Sequence, residues 1–202
     1  MNTTVLFVEL LIIGFQGGIW ILFLILSVFG YKWLLGLQST GISDWQTLIT
    51  IFLLSMLYVL GIIIDRTADA IFSGWSKRIK KRVFPDSDAP TSAIRFGFTN
   101  EYLNRQIEYT RTRMRIARAS SVNFALTTIF AVVFIATQLQ GISDTERLRY
   151  LAFTLIFGIA LAITAIVIWK SLTRGYYETV KKNVPMPSLR SSRKTKRIVN
   201  KQ

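Results

Sequence analysis

The chain has 202 residues, 51% of them hydrophobic, and its 25 Lys and Arg against 11 Asp and Glu give a formal charge of +14. Apolar content this high exceeds what a soluble core of this size buries, and with the basic excess it indicates an integral membrane protein with positive cytosolic faces. With neither Cys nor His, disulfides, thiolate and imidazole metal sites, cysteine nucleophiles and histidine acid–base chemistry are excluded.

In chain order, the first apolar stretch runs from about Val5 to Gly30, and ~20 such residues suffice to cross ~30 Å of hydrocarbon. It is too long for a signal-peptide core, has no basic segment ahead of it and no A-x-A site behind it, so it reads as a retained helix. Glu9 and Gln16, seven apart, form a candidate intramembrane polar seam. Two readings of Glu9 stand open: a carboxylate paired or held at the headgroup boundary, and a group on an ion path. Gly14 and Gly18 supply the small-residue spacing by which membrane helices pack closely.

Gly41-Ile42-Ser43-Asp44 separates this stretch from a second, shorter one, Leu48 to Ile64. Ser43 and Gln46 fit a capping box, and Gly41 is placed to end the preceding helix in the left-handed conformation. Asp65 and Asp69 share a face at the end of the second stretch. Trp75 to Arg82 (WSKRIKKR) is a basic amphipathic run, broken by Pro85, Asp86, Asp88 and Pro90.

Thr99 then reads as a cap, with Glu101 in the first turn of a helix from about Asn100 to Gln140. That helix would be roughly 60 Å long and would contain the third apolar stretch, about Val122 to Leu139. Glu101 with Arg105 and Glu108 with Arg111 are favourable helical pairs. Arg111, Arg115 and Arg118 fall at i, i+4 and i+7, one stripe on one face.

Gly141-Ile142-Ser143-Asp144 repeats the first turn at an offset of 100. Ser143 and Glu146 form the second capping box, Gly141 is the second helix-ending glycine, and a two-residue link is expected. The fourth stretch, Leu151 to Trp169, follows. Gly74-Trp75 and Ile79-Lys80-Lys81 correspond to Gly175-Tyr176 and Val180-Lys181-Lys182. These matches read as two αα-hairpins related by internal duplication, the alternative being that tight helical hairpins independently select Gly, Ser and Asp. Beyond Pro185 and Pro187 the tail is basic, serine-rich and expected to be disordered. It has no aromatic residue for stacking on bases, so anionic lipid is favoured over nucleic acid.

Between Arg66 and Arg118 lie 12 of the basic residues and from Lys170 onward lie 10, while the two turns hold only Lys32, Arg147 and Arg149. By the positive-inside rule both termini are cytosolic, and a bacterial inner membrane is the expected location. Trp33 and Trp45 fall at the outer interface and Trp75 and Trp169 at the inner one, as in an aromatic belt. The expected fold is thus all-α and polytopic, with four transmembrane helices. Residues 1–65 form the first hairpin, 66–118 a basic cytosolic helical arm whose last part continues into the third span, 119–170 the second hairpin, and 171–202 a basic tail.

Asp65, Asp69, Arg111, Arg115 and Arg118 fall at similar depth and form a candidate juxtamembrane charge cluster. Its first reading is a salt-bridge lock between hairpins; its second is a set of arginines gripping anionic lipid headgroups or another acidic partner. A third takes Asp65 and Asp69 as a metal pair, as in Mg-dependent lipid transferases, but those enzymes need further carboxylates that have no counterpart here. Ser55, Thr127, Thr128, Thr154 and Thr164 are expected to bond their own helix carbonyls. No phosphate-binding loop, dinucleotide fingerprint or serine elbow is present, and no metal or cofactor is expected.

The stretches Ile64 to Asp69 and Tyr109 to Arg118 resemble those of four-span bacterial membrane proteins, and some small proteins of that shape are membrane components of anti-phage systems. The resemblance is confined to these stretches and implies no residue roles. The leading expectation is a non-enzymatic membrane component that homo-oligomerises or recruits a cytosolic protein partner through a basic face. The alternatives are an oligomeric ion channel or membrane-permeabilising effector with its pore at an oligomer axis, and then a lipid-modifying enzyme.

Overall fold

The computed structural model describes residues 3–32, 45–85 and 101–183. They form α1 (Thr3–Phe29), α2 (Gln46–Val83), α3 (Glu101–Gln138) and α4 (Asp144–Asn183), with no strand among the described residues. All four helices are long and apolar enough to cross a membrane, the make-up of an integral membrane protein. In hydrocarbon every backbone amide and carbonyl must find its partner within the segment, which a helix achieves by itself. Trp33, Gly41, Ser43, Asp86, Asp88, Pro90, Thr99 and the tail beyond 183 lie outside the described residues.

α2, α3 and α4 hold 38, 38 and 40 residues, about twice the length that ~30 Å of hydrocarbon requires at ~1.5 Å per residue. The surplus lies at one end of the bundle, the basic end, where a cluster of Phe84, Leu103, Ile107, Tyr176 and Val180 joins the three helices. The helices run unbroken through positions 65–66, 118–119 and 170–171. The described parts of the basic arm, and the root of the tail, are therefore extensions of the spans.

Charge placement supports the helix ends. Lys80, Lys81 and Arg82 stand in the last turn of α2 and Lys181 and Lys182 in that of α4, while Asp144 and Glu146 open α4, each sign facing the end of the helix dipole it stabilises. α2 closes with the Phe84 amide donating to the Lys80 carbonyl at 2.9 Å, and Pro85 cannot continue it.

The turn between α3 and α4 departs from expectation. The helices are separated by residues 139–143, five rather than two, and α3 stops at Gln138. The longer link has room to reverse direction without a left-handed residue, and Gly141 is not one. Gly30 is instead the one described residue with positive φ, at 74°, where its amide donates to the Leu26 carbonyl at 3.0 Å and ends α1. The second capping box is present in altered form: the Glu146 amide donates to the Ser143 hydroxyl at 3.4 Å, and that hydroxyl donates to the Glu146 carboxylate at 2.9 Å. The serine thus serves two contacts with residue 146, and the glutamate folds onto the hydroxyl.

Two close approaches set the packing. α1 crosses α2 at Gly14 and Gly61: a Cβ on either would overlap a backbone carbonyl of the other helix, that of Leu57 or Leu10. Gly18, the expected partner of Gly14, meets only the Leu57 side chain, at 3.0 Å. The small residue that matters lies on the facing helix. Similarly, Gly158 of α4 accommodates Thr128 of α3. Trp169, expected in an interfacial belt, is 3% exposed and packs edge-on against Phe72 at 4.6 Å. It is a core residue between α2 and α4, whereas Trp45 and Trp75 are exposed.

Candidate functional site

The charged cluster is built where α1, α2 and α3 come together at Ile13, Ile64, Ala68 and Ala119. Ala68 and Ala119 have no exposed surface, and such small side chains let the backbones of α2 and α3 approach. One residue before Ala119, the Arg118 guanidinium reaches across to both aspartates. Its Nη2 donates to Asp65 at 3.0 Å and its Nη1 to Asp69. The Arg118 and Asp65 side chains are each only 14% exposed, while Asp69 is 60% exposed. Spacing of four along α2 puts the two carboxylates one above the other, matching the fork of the guanidinium.

The arginine stripe does not act as a unit. Arg118 takes both aspartates. Arg115, one turn away, faces Glu9 of α1 at 3.8 Å, and Arg111 lies over the Tyr176 ring of α4 at 5.9 Å. Each arginine thus binds α3 to a different helix. Asp65 and Asp69, which one reading assigned to a metal, receive a guanidinium.

Glu9 is 1% exposed, and neither carboxylate oxygen has a hydrogen bond among the described residues. It belongs to a longer polar seam between α1 and α3. The Ser120 hydroxyl donates to the Gln16 amide oxygen at 2.9 Å. Asn123, with no exposed surface, donates to the Ile13 carbonyl at 3.1 Å and accepts from the Trp20 indole at 3.2 Å. Further on, the Gln138 amide donates to the Ser27 carbonyl at 2.9 Å. The α1 positions 9, 13, 16, 20 and 27 follow alternating steps of four and three residues, then seven, a single face. Contacts between 9 and 115, 20 and 123, 27 and 138 rise together, so α1 and α3 run parallel.

Of the residues singled out in sequence, the structure brings Asp65, Asp69 and Arg118 into one contact and Glu9 and Gln16 into one seam. It distributes Arg111 and Arg115 elsewhere. Asn123, Ser120, Trp20 and Gly61 were missed. An amide inside an apolar stretch, four residues beyond Ala119, was the available signal for Asn123. The hydroxyls of Ser55, Thr128 and Thr164 bond the carbonyls four residues earlier in their own helices, as expected. Beside Arg118 a cleft of about 640 Å³ opens between the four helices. Comparison with protein-family models, curated proteins and solved structures found no match.

Proposed function

We propose that the chain is a non-enzymatic membrane component, two αα-hairpins with both termini cytosolic, that self-associates in the bilayer and offers its basic end to a cytosolic partner. The observation that carries this reading is the use made of intramembrane polar groups. Glu9, Gln16, Trp20, Asn123 and Gln138 all point into the α1–α3 contact. Polar groups committed to each other hold helices together; a water path needs them facing a lumen. This favours a packing role for the seam over an ion pathway.

Self-association is supported by the far half of α2. Every residue from Trp45 to Met56 is exposed, including Leu48, Phe52 and Met56 at 60%, 66% and 55%. Spacing of four places these three on one face, an apolar surface long enough for a second copy. Because the chain has no Cys, single cysteines introduced along residues 46–56 give an unambiguous test. In native membranes, oxidation is expected to yield disulfide-linked dimers with helical periodicity, strongest on one face. Absence of cross-linking at every position would contradict self-association through α2.

A further inference from the structure

The cleft beside Arg118 has a graded wall. Along α2 it is lined by Tyr58, Ile62, Asp65, Asp69, Ser76 and Lys80, with Arg66 beside Asp65; the steps of four, three, four, seven and four between the first six keep those on one face. Over about 33 Å of helix at ~1.5 Å per residue this stripe changes from apolar through acidic to cationic. Leu6 and Leu10 of α1 widen the apolar part, near the stacked rings of Phe7 and Tyr58. At the other end Arg111 and Tyr176 face the cleft with Lys80.

Arg66, Lys80, Arg111, Arg115 and Arg118 line it, with Arg118 taken by Asp65 and Asp69 and Arg115 facing Glu9. Arg66 and Lys80 have no ion-pair partner among the described residues. The Tyr176 side chain, in a residue only 6% exposed, also has a buried hydroxyl without a hydrogen-bond partner among the described residues. A buried polar group of this kind is normally satisfied by something, and here the donor shares its cleft with Lys80, a cation with no ion-pair partner among the described residues. Phosphate oxygens answer both needs.

We propose that this cleft binds an anionic phospholipid, with its phosphate between Lys80, Arg111 and Tyr176 and an acyl chain along Leu6, Leu10, Tyr58 and Ile62. The apolar wall is what distinguishes such an amphiphile from a soluble phosphate, which has no use for it. This rests on the chain being membrane-embedded with its basic end at headgroup level, and not on self-association. Cysteine cross-linking reads self-association without added lipid, so either idea can fail alone.

The test is thermal unfolding of the purified full chain in a neutral detergent, titrated with short-chain phosphatidylglycerol, short-chain phosphatidylcholine and glycerol 3-phosphate. Phosphatidylglycerol is expected to raise the midpoint saturably, with the other two at least fivefold weaker. Lys80→Gln/Tyr176→Phe keeps the aromatic packing and is expected to weaken phosphatidylglycerol binding at least fivefold. Lys77→Gln/Lys81→Gln removes two exposed charges outside the cleft and is expected to leave it within twofold. Equal binding of phosphatidylcholine, or equal losses in both variants, would overturn the site. Glycerol 3-phosphate binding as tightly as the lipid would assign it to a soluble phosphate instead. Unchanged affinity in Lys80→Gln/Tyr176→Phe would also refute the placement.

Discussion

Replacing Arg118 with Gln removes the guanidinium that pairs with Asp65, a carboxylate only 14% exposed. Breaking a buried pair from one side leaves an uncompensated charge and costs ~3–5 kcal/mol. The second partner, Asp69, is 60% exposed, so its share is screened and amounts to ~1 kcal/mol or less. Arg118→Gln should therefore destabilise by ~3–5 kcal/mol, and Asp69→Asn by no more than ~1 kcal/mol. Adding Asp65→Asn to Arg118→Gln removes the stranded charge, so the double variant should recover part of the loss, with a coupling of ~1–3 kcal/mol. Equilibrium unfolding by SDS in mixed micelles, followed through the five tryptophans, measures these proteins together with the Asp65→Asn single variant that closes the cycle. An Arg118→Gln variant within ~0.5 kcal/mol of the parent, the range of an ordinary surface change, would refute the idea that this contact locks α3 to α2.

Three further outcomes follow from the same geometry. Gly61→Ala places a methyl against the Leu10 carbonyl and should destabilise by ~1–3 kcal/mol or more. Gly74→Ala, with nothing within 4 Å, should be neutral or gain ~0.5–1 kcal/mol from helix propensity; equal effects in SDS unfolding would show that the α1–α2 crossing is misplaced. Reporter fusions at Asp88 and at the C-terminus should report cytosol and insertions at Gly41 and Gly141 the outside, a cytosolic signal from either glycine being incompatible with both termini inside. Asn123→Leu, which removes both bonds of a residue with no exposed surface, should cost ~1–2 kcal/mol in the same unfolding assay, and no loss would show that the seam does not hold α1 on α3.

The spans were legible because lipid imposes a single rule, that long apolar runs become helices, and it needs no knowledge of neighbours. Face-sharing was legible too: the i, i+4 spacing of Asp65 and Asp69 and the stripe of Arg111, Arg115 and Arg118 both follow from helical period. Period alone does not fix how each helix is rotated and how deep it sits. A stripe of three arginines therefore looked like one cluster, when its members turn to α1, α2 and α4. Gly61 and Asn123 carry meaning only through the helix they touch, Gly14 and Leu10 in one case and Ile13 and Trp20 in the other. Trp169 shows the same limit, since an aromatic at a span boundary suits a lipid belt or a core until its neighbours are known. The turn at Gly141 was misjudged because its length of five residues relieved the backbone constraint that a two-residue link imposes.

The central claim is that intramembrane polar groups here pack helices and do not conduct ions. Glu9, 1% exposed and facing Arg115, tests it most directly. A carboxylate on a water path sets ion selectivity through a weakly screened field, whereas one held between helices affects assembly. Purified parent and Glu9→Gln proteins, reconstituted in planar bilayers, should both show background conductance, while the variant shifts in SDS unfolding or oligomer yield. Reproducible single-channel currents from the parent, with altered selectivity in Glu9→Gln, would contradict the account and place Glu9 on an ion path.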